Sequence, residues 1–123
     1  MTTEQQLPGC CVLIVEDDYF IAEDSRMTLE DAGARVIGPC AAFEATRALL
    51  GDTLPDCAVV DLNLGQGPDF TIARYLREQG IPVLLVTGYD RGFVPSDLSA
   101  VECLQKPVNR KKLVKAVIAL CED

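Results

Sequence analysis

Five short apolar runs alternate along this chain with amphipathic or polar segments: Cys11 to Val15, Arg35 to Gly38, Cys57 to Val60, Ile81 to Val86 and Val101 to Leu104. Cys57-Ala58-Val59-Val60 is apolar at every position, as expected of a strand buried on both faces. The spacing predicts helices over Tyr19 to Ala32, Phe43 to Leu50, Pro68 to Gln79 and Asn109 to Leu120. In the first, Ile21, Leu29 and Ala32 fall at core positions, and in the last Leu113, Val117 and Leu120 share one stripe. Asp17 or Asp18 supplies an N-cap, Gly33 a stop, and Pro68 sits where a helix tolerates proline. The segment from Gly88 to Ala100 is rich in Gly, Pro, Asp and Ser and predicts at most a short, weak helix. Alternation of this kind with short connections predicts a parallel sheet covered by helices on both faces.

At 123 residues the sequence fits one domain, 1–123, with a core over about 10–121 and residues 1–9 as an N-terminal extension. Nineteen acidic against 11 basic side chains give a net charge of −8, which disfavours a nucleic-acid partner and suits cations or basic protein surfaces. No apolar run approaches the roughly 20 residues that span a bilayer. The sequence has no histidine, so Ser-His-Asp and Cys-His machinery, histidine zinc ligands and a histidine phosphodonor are all excluded for this chain. The six cysteines, Cys10, Cys11, Cys40, Cys57, Cys103 and Cys121, show no Cys-x-x-Cys, and Cys10 and Cys11 adjoin an apolar run. Without a secretory signal at the N-terminus they read as buried, reduced thiols of a cytoplasmic protein.

Ligands of open parallel sheets bind beyond the carboxyl ends of the strands. The residues there are Glu16 and Asp17 after the first strand, Asp61 after the third, Thr87 after the fourth and Lys106 after the fifth. Each alone is ordinary: a turn aspartate, a helix-start charge cluster, a turn threonine, a surface lysine. Together they place three carboxylates, a hydroxyl and an ammonium on one edge. Uncompensated, such carboxylates repel one another. A hard divalent cation relieves that cost, and Mg2+ with a few carboxylates and phosphate oxygens suits the inventory. A phosphoryl group arriving at Asp61 as nucleophile would meet metal, hydroxyl and ammonium.

This ordered set resembles the receiver domains of bacterial two-component response regulators. Val12-Leu13-Ile14-Val15-Glu16-Asp17-Asp18 is similar to their opening strand and acidic pocket, Val59-Val60-Asp61-Leu62 to the phosphoacceptor segment, and Thr87 and Lys106-Pro107 to the hydroxyl and lysine positions. The resemblance implies a flavodoxin-like (βα)5 fold, strand order 2-1-3-4-5. It implies Mg2+ held directly by Asp17, assisted by Glu16, with an Asp61 oxygen and the Asn63 backbone carbonyl. It also implies a cis Lys106–Pro107 peptide, and dephosphorylation tuned from Asn63 and Tyr89. The donor would be a sensor histidine kinase or a histidine phosphotransfer protein.

Departures from the family fall late in the chain. Thr87 and Lys106 stand closer together than usual, which shortens the fourth helix, and Cys103 replaces the usual switch aromatic. Val86-Thr87-Gly88-Tyr89 followed by Pro95 resembles a single-domain subgroup with a reduced fourth helix, for which ordering of residues 88–95 on phosphorylation is the expected output. Downstream contacts are expected through Gly88 to Lys106 and the last helix, where Arg110, Lys111, Lys112 and Lys115 cluster. A homodimer stays open. Gly65-Gln66-Gly67 lacks the third glycine of a nucleotide loop and reads as loop freedom beside Asp61. The expected role is a phosphoaccepting signalling protein or phosphate sink rather than an enzyme acting on a metabolite. An aspartate-nucleophile phosphohydrolase of the haloacid dehalogenase type is the alternative, but Asp61-Leu62-Asn63 sits on the third strand and no cap domain fits. A degenerate docking module is the other, and the intact acceptor set speaks against it.

Overall fold

The structure, a computed structural model, describes residues 6–62, 69–88 and 94–122. Five parallel strands, β1 (Cys11–Val15), β2 (Arg35–Cys40), β3 (Cys57–Asp61), β4 (Val83–Thr87) and β5 (Cys103–Gln105), form one sheet ordered β2-β1-β3-β4-β5. Among the described residues the helices are α1 (Tyr19–Asp31), α2 (Phe43–Asp52), α3 (Thr71–Glu78) and α4 (Arg110–Cys121), with a 3-10 turn at Ser96–Leu98 between β4 and β5. The doubly wound parallel architecture and its strand order are as expected.

Side-chain alternation along the strands builds two cores. Leu13 and Val15 of β1, Ala58 and Val60 of β3 and Leu85 of β4 face α3, where Ile72, Ala73 and Leu76 are buried, and the 3-10 residue Leu98 joins them. Val12, Ile14, Val59, Leu84 and Val86 face the other way, onto Leu29 of α1 and Leu113 and Val117 of α4. All residues of β1, β3 and β4 are buried, which explains why those runs carry no polar face.

The ends of several elements differ from expectation, each for a local reason. Asp18 is the N-cap of α1, its carboxylate accepting from the Ile21 N–H at 3.0 Å. Ile21 itself is half-buried rather than core. α3 begins at Thr71, not Pro68, because the Asp69 carboxylate accepts from the Thr71 N–H at 2.9 Å and turns the chain there; Pro68 lies outside the described residues. β2 runs two residues past Gly38 through a cis Gly38–Pro39 peptide, and proline is tolerated because β2 is an edge strand. β4 starts after Pro82, and β5 starts at Cys103 because Val101 closes a turn with its N–H on the Leu98 carbonyl at 3.0 Å.

One correction concerns the cysteines. Cys11, Cys40 and Cys57 are buried free thiols as expected, but Cys10 and Cys121 are joined in a disulfide. They lie 111 residues apart in sequence, yet the start of β1 and the end of α4 meet at one pole of the sheet, with Cα atoms 6.5 Å apart. That separation is within disulfide reach.

Candidate functional site

At the carboxyl pole of the sheet, β1, β3, β4 and β5 deliver Glu16, Asp61, Thr87 and Lys106 to one edge. The delivery is enforced by backbone pairing. The Glu16 N–H donates to the Cys40 carbonyl at 2.9 Å, the Leu62 N–H to the Val86 carbonyl at 3.0 Å, and the Lys106 N–H to the Thr87 carbonyl at 2.8 Å. Asp61 is the last residue of β3 and 2% exposed; Thr87 is the last of β4 and 1% exposed. The Lys106–Pro107 peptide is cis, matching the expectation from the resemblance.

The Lys106 ammonium lies 3.0 Å from Asp61 Oδ2 and 3.6 Å from Glu16 Oε1. The other Glu16 oxygen, Oε2, accepts from the Asp18 N–H at 3.2 Å. One carboxylate oxygen from each of Glu16, Asp17 and Asp61 lies within 4.8 Å of the others. Glu16 and Asp61 are buried, whereas Asp17 is exposed at the rim. Burial and the neighbouring Asp61 carboxylate push the Glu16 carboxyl up to about 7. For Lys106, burial opposes the charge, but the hydrogen bond to Asp61 and the charges of Glu16 and Asp61 prevail and hold the ammonium above its ordinary value.

This donor set fits a hard divalent cation. Two buried carboxylates and one exposed carboxylate with oxygens clustered at this spacing are what Mg2+ accepts, leaving positions for water and phosphate. One ammonium neutralises only part of their charge, while burial first and the Asp61 carboxylate second raise the Glu16 carboxyl. Of the expected site residues, Glu16, Asp17, Asp61 and Lys106 are brought together, with Thr87 on the adjacent strand end. Asn63, whose backbone carbonyl was expected to complete the metal ligands, lies outside the described residues, as do Tyr89, Gly65 and Gly67.

Tyr19 and Phe20, in the first turn of α1, were not singled out from sequence. They are 68% and 79% exposed, their rings stacked edge to face at 5.5 Å. Phe20 forms a wall of an apolar cavity of about 500 Å3 between α1 and α4, which Ile21, Pro107, Val108 and Leu113 also line and which borders Lys106. Two consecutive aromatics straight after Glu16-Asp17-Asp18 were the available signal, since a buried helix face would not pair neighbouring positions. Along α4, Arg110, Lys111, Lys112 and Lys115 are all exposed. Arg110 pairs with Asp24 across from α1.

Known proteins share this fold. The family model for the response regulator receiver domain matches residues 12–118. The phosphoglycerate transport system transcriptional regulatory protein PgtA of Salmonella typhimurium is 32% identical over 119 residues, covering 85% of this chain. The chain spans 26% of that regulator's length. Among solved structures, a response regulator receiver protein from Sinorhizobium medicae is 26% identical with a TM-score of 0.76, covering 93% of this chain and 95% of that one. The BeF3-activated conformation of SdrG from Pseudomonas melonis is 28% identical with a TM-score of 0.79, covering 97% and 98%.

Proposed function

The chain belongs to the response regulator receiver domain family, and on that premise we propose that it accepts a phosphoryl group on Asp61 in a Mg2+-dependent reaction. The observation that carries this reading is the buried Asp61 carboxylate at a strand end with the Lys106 ammonium at 3.0 Å and Glu16 beside it. A carboxylate so enclosed, held by Lys106, is placed to attack an incoming phosphorus in line. Lys106 then shifts its hydrogen bond from Asp61 toward the phosphoryl oxygens as negative charge gathers there. The buried Thr87 hydroxyl offers the second donor to the same group. Glu16 and Asp17, with Asp61, would hold Mg2+, which when bound neutralises phosphoryl charge. The transferring group needs positioning more than covalent chemistry, and the residues supply that.

Because this sequence contains no histidine, a donor of the phosphohistidine type lies outside it, as in a sensor histidine kinase or a histidine phosphotransfer protein. The exposed Tyr19 and Phe20 beside the Lys106 rim offer that donor an apolar foothold next to Asp61. Signalling by protein contact through Gly88 to Lys106 and α4 and a cytoplasmic setting belong to the same proposal. Among the described residues no helix is long and apolar enough to cross a membrane.

Incubation with Mg2+ and a small acyl phosphate, followed by intact mass measurement, tests the assignment. Wild type gains one base-labile phosphoryl adduct, and Asp61→Asn gains none. An equal adduct on the variant, or none on wild type, defeats it.

A further inference from the structure

The pole of the sheet opposite Asp61 holds a second chemical cluster. Cys10 precedes β1, Cys57 opens β3 and Cys121 ends α4. Their three sulfurs lie within 4.8 Å of one another. Cys10 and Cys121 form the disulfide, and the Cys57 thiol stands 3.8 Å from the Cys121 sulfur. A cavity of about 260 Å3, lined by Leu7, Cys10, Asp56, Cys121 and Glu122 among others, opens onto the bonded pair. Cys57 is 0% exposed and does not line that cavity.

We propose that Cys10, Cys57 and Cys121 form a thiol–disulfide exchange site in which Cys121 is the central sulfur, bonded to Cys10 or to Cys57, and which a dithiol reductant reaches through this cavity. Cys121 is central because it is bonded to Cys10 and in van der Waals contact with Cys57. In the exchange, the Cys57 thiolate attacks the Cys121 sulfur, a Cys57–Cys121 bond forms and the Cys10–Cys121 bond breaks. The electron pair leaves on the Cys10 sulfur, which takes up the proton that Cys57 released, so nothing is oxidised or reduced overall. The three sulfurs are closer together than a collinear attack allows, so Cys121 first turns about its side-chain bond. It is the last residue of its helix and only half-buried.

Reduction is a separate step. One thiolate of the dithiol attacks the exposed face of the bonded pair, and its second thiol closes on the mixed disulfide. The dithiol leaves as its own disulfide, having passed two electrons and two protons to the cysteines, and three thiols remain. Burial, reinforced by the Asp56 and Cys11 side chains, pushes the Cys57 thiol up to about 12. Cys57 therefore rests protonated, and the bond the structure holds is Cys10–Cys121. In a reducing compartment, a disulfide with a thiol partner at hand and open access is of the transient, redox-responding kind. That setting comes from the proposed function, but the exchange chemistry does not depend on it.

Disulfide mapping of the full chain tests the site. The protein is equilibrated in glutathione redox buffers, quenched in acid, alkylated and digested. Wild type is expected to give the Cys10–Cys121 peptide pair with a minor Cys57–Cys121 pair. Cys10→Ala moves the bond entirely to Cys57–Cys121, and Cys57→Ala leaves Cys10–Cys121 alone. A folded Cys10→Ala protein that stays fully reduced where wild type oxidises overturns the proposal. So does wild type that never yields the minor pair, whether or not the variant folds. Reduced wild type that instead retains Zn2+ or Cu+ in native mass spectra, with no disulfide forming, makes the cluster a metal site and overturns it equally. None of these readouts uses Asp61 or a phosphodonor, so the two proposals fail independently.

Discussion

The Lys106 ammonium sits between two buried carboxylates, 3.0 Å from Asp61 and 3.6 Å from Glu16, and that position sets what its loss should do. Lys106→Ala removes the charge that meets the arriving phosphoryl group. The initial rate of adduct formation should fall about 100-fold, as when one preorganised charge-stabilising donor is lost. An unchanged rate would mean that the ammonium never touches the group. Glu16 gives a prediction of opposite character. Its carboxyl is held at about 7 by burial and by Asp61, against an ordinary value of 4.5. Between those values the folded chain keeps a proton that the unfolded chain has lost. Metal-free stability therefore falls as pH rises through this window, by at most about 1.4 kcal/mol per pH unit for one proton. Urea melts across the window should show this slope in wild type and not in Glu16→Gln, and Mg2+ should restore stability at the alkaline end. A wild-type profile no steeper than the variant's would contradict the picture.

At the level of elements, β2 depends on Gly38. It has φ +94°, and a Cβ there would stand 2.8 Å from the Ile14 carbonyl oxygen. Gly38→Ala should cost about 2–3 kcal/mol from the left-handed backbone and the overlap together, read as a lower urea midpoint; an unchanged midpoint would show that β2 shifts freely. Sequence alone disclosed β1 and β3 well because they are buried on both faces and uninterrupted by proline. It disclosed β2 and β4 less well, since Pro39 and Pro82 blur where pairing continues. The acceptor set Glu16, Asp17, Asp61, Thr87 and Lys106 was legible because strand ends in an open parallel sheet share one pole. What holds the 3-10 turn at Ser96–Leu98 was not. Asp97 takes both oxygens to Arg74, at 2.9 and 3.1 Å, and its carbonyl accepts from Arg77 at 2.9 Å, contacts with no sequence periodicity to reveal them. The Cys10–Cys121 pairing was equally hidden, because two segments 111 residues apart meet only once the sheet is assembled.

Across the whole molecule, the sheet separates two chemistries: carboxylates, hydroxyl and ammonium at the carboxyl pole, and three cysteines at the amino pole. The disulfide closes nearly the entire chain, with a sequence separation of 111. Chain entropy assigns about 4.7 kcal/mol to a loop of roughly 100 residues, so reduction should lower the urea midpoint markedly while leaving phosphoryl acceptance at the far pole intact. Equal midpoints for oxidised and reduced protein would show that the bond constrains little. Which side chain carries the phosphoryl group can be read directly. Borohydride reduces an aspartyl phosphate to homoserine, so treating the phosphorylated protein and sequencing its peptides reads the acceptor position itself. Homoserine at position 61 and nowhere else is the predicted result; homoserine at another aspartate, or none in a protein that carries the adduct, would contradict it.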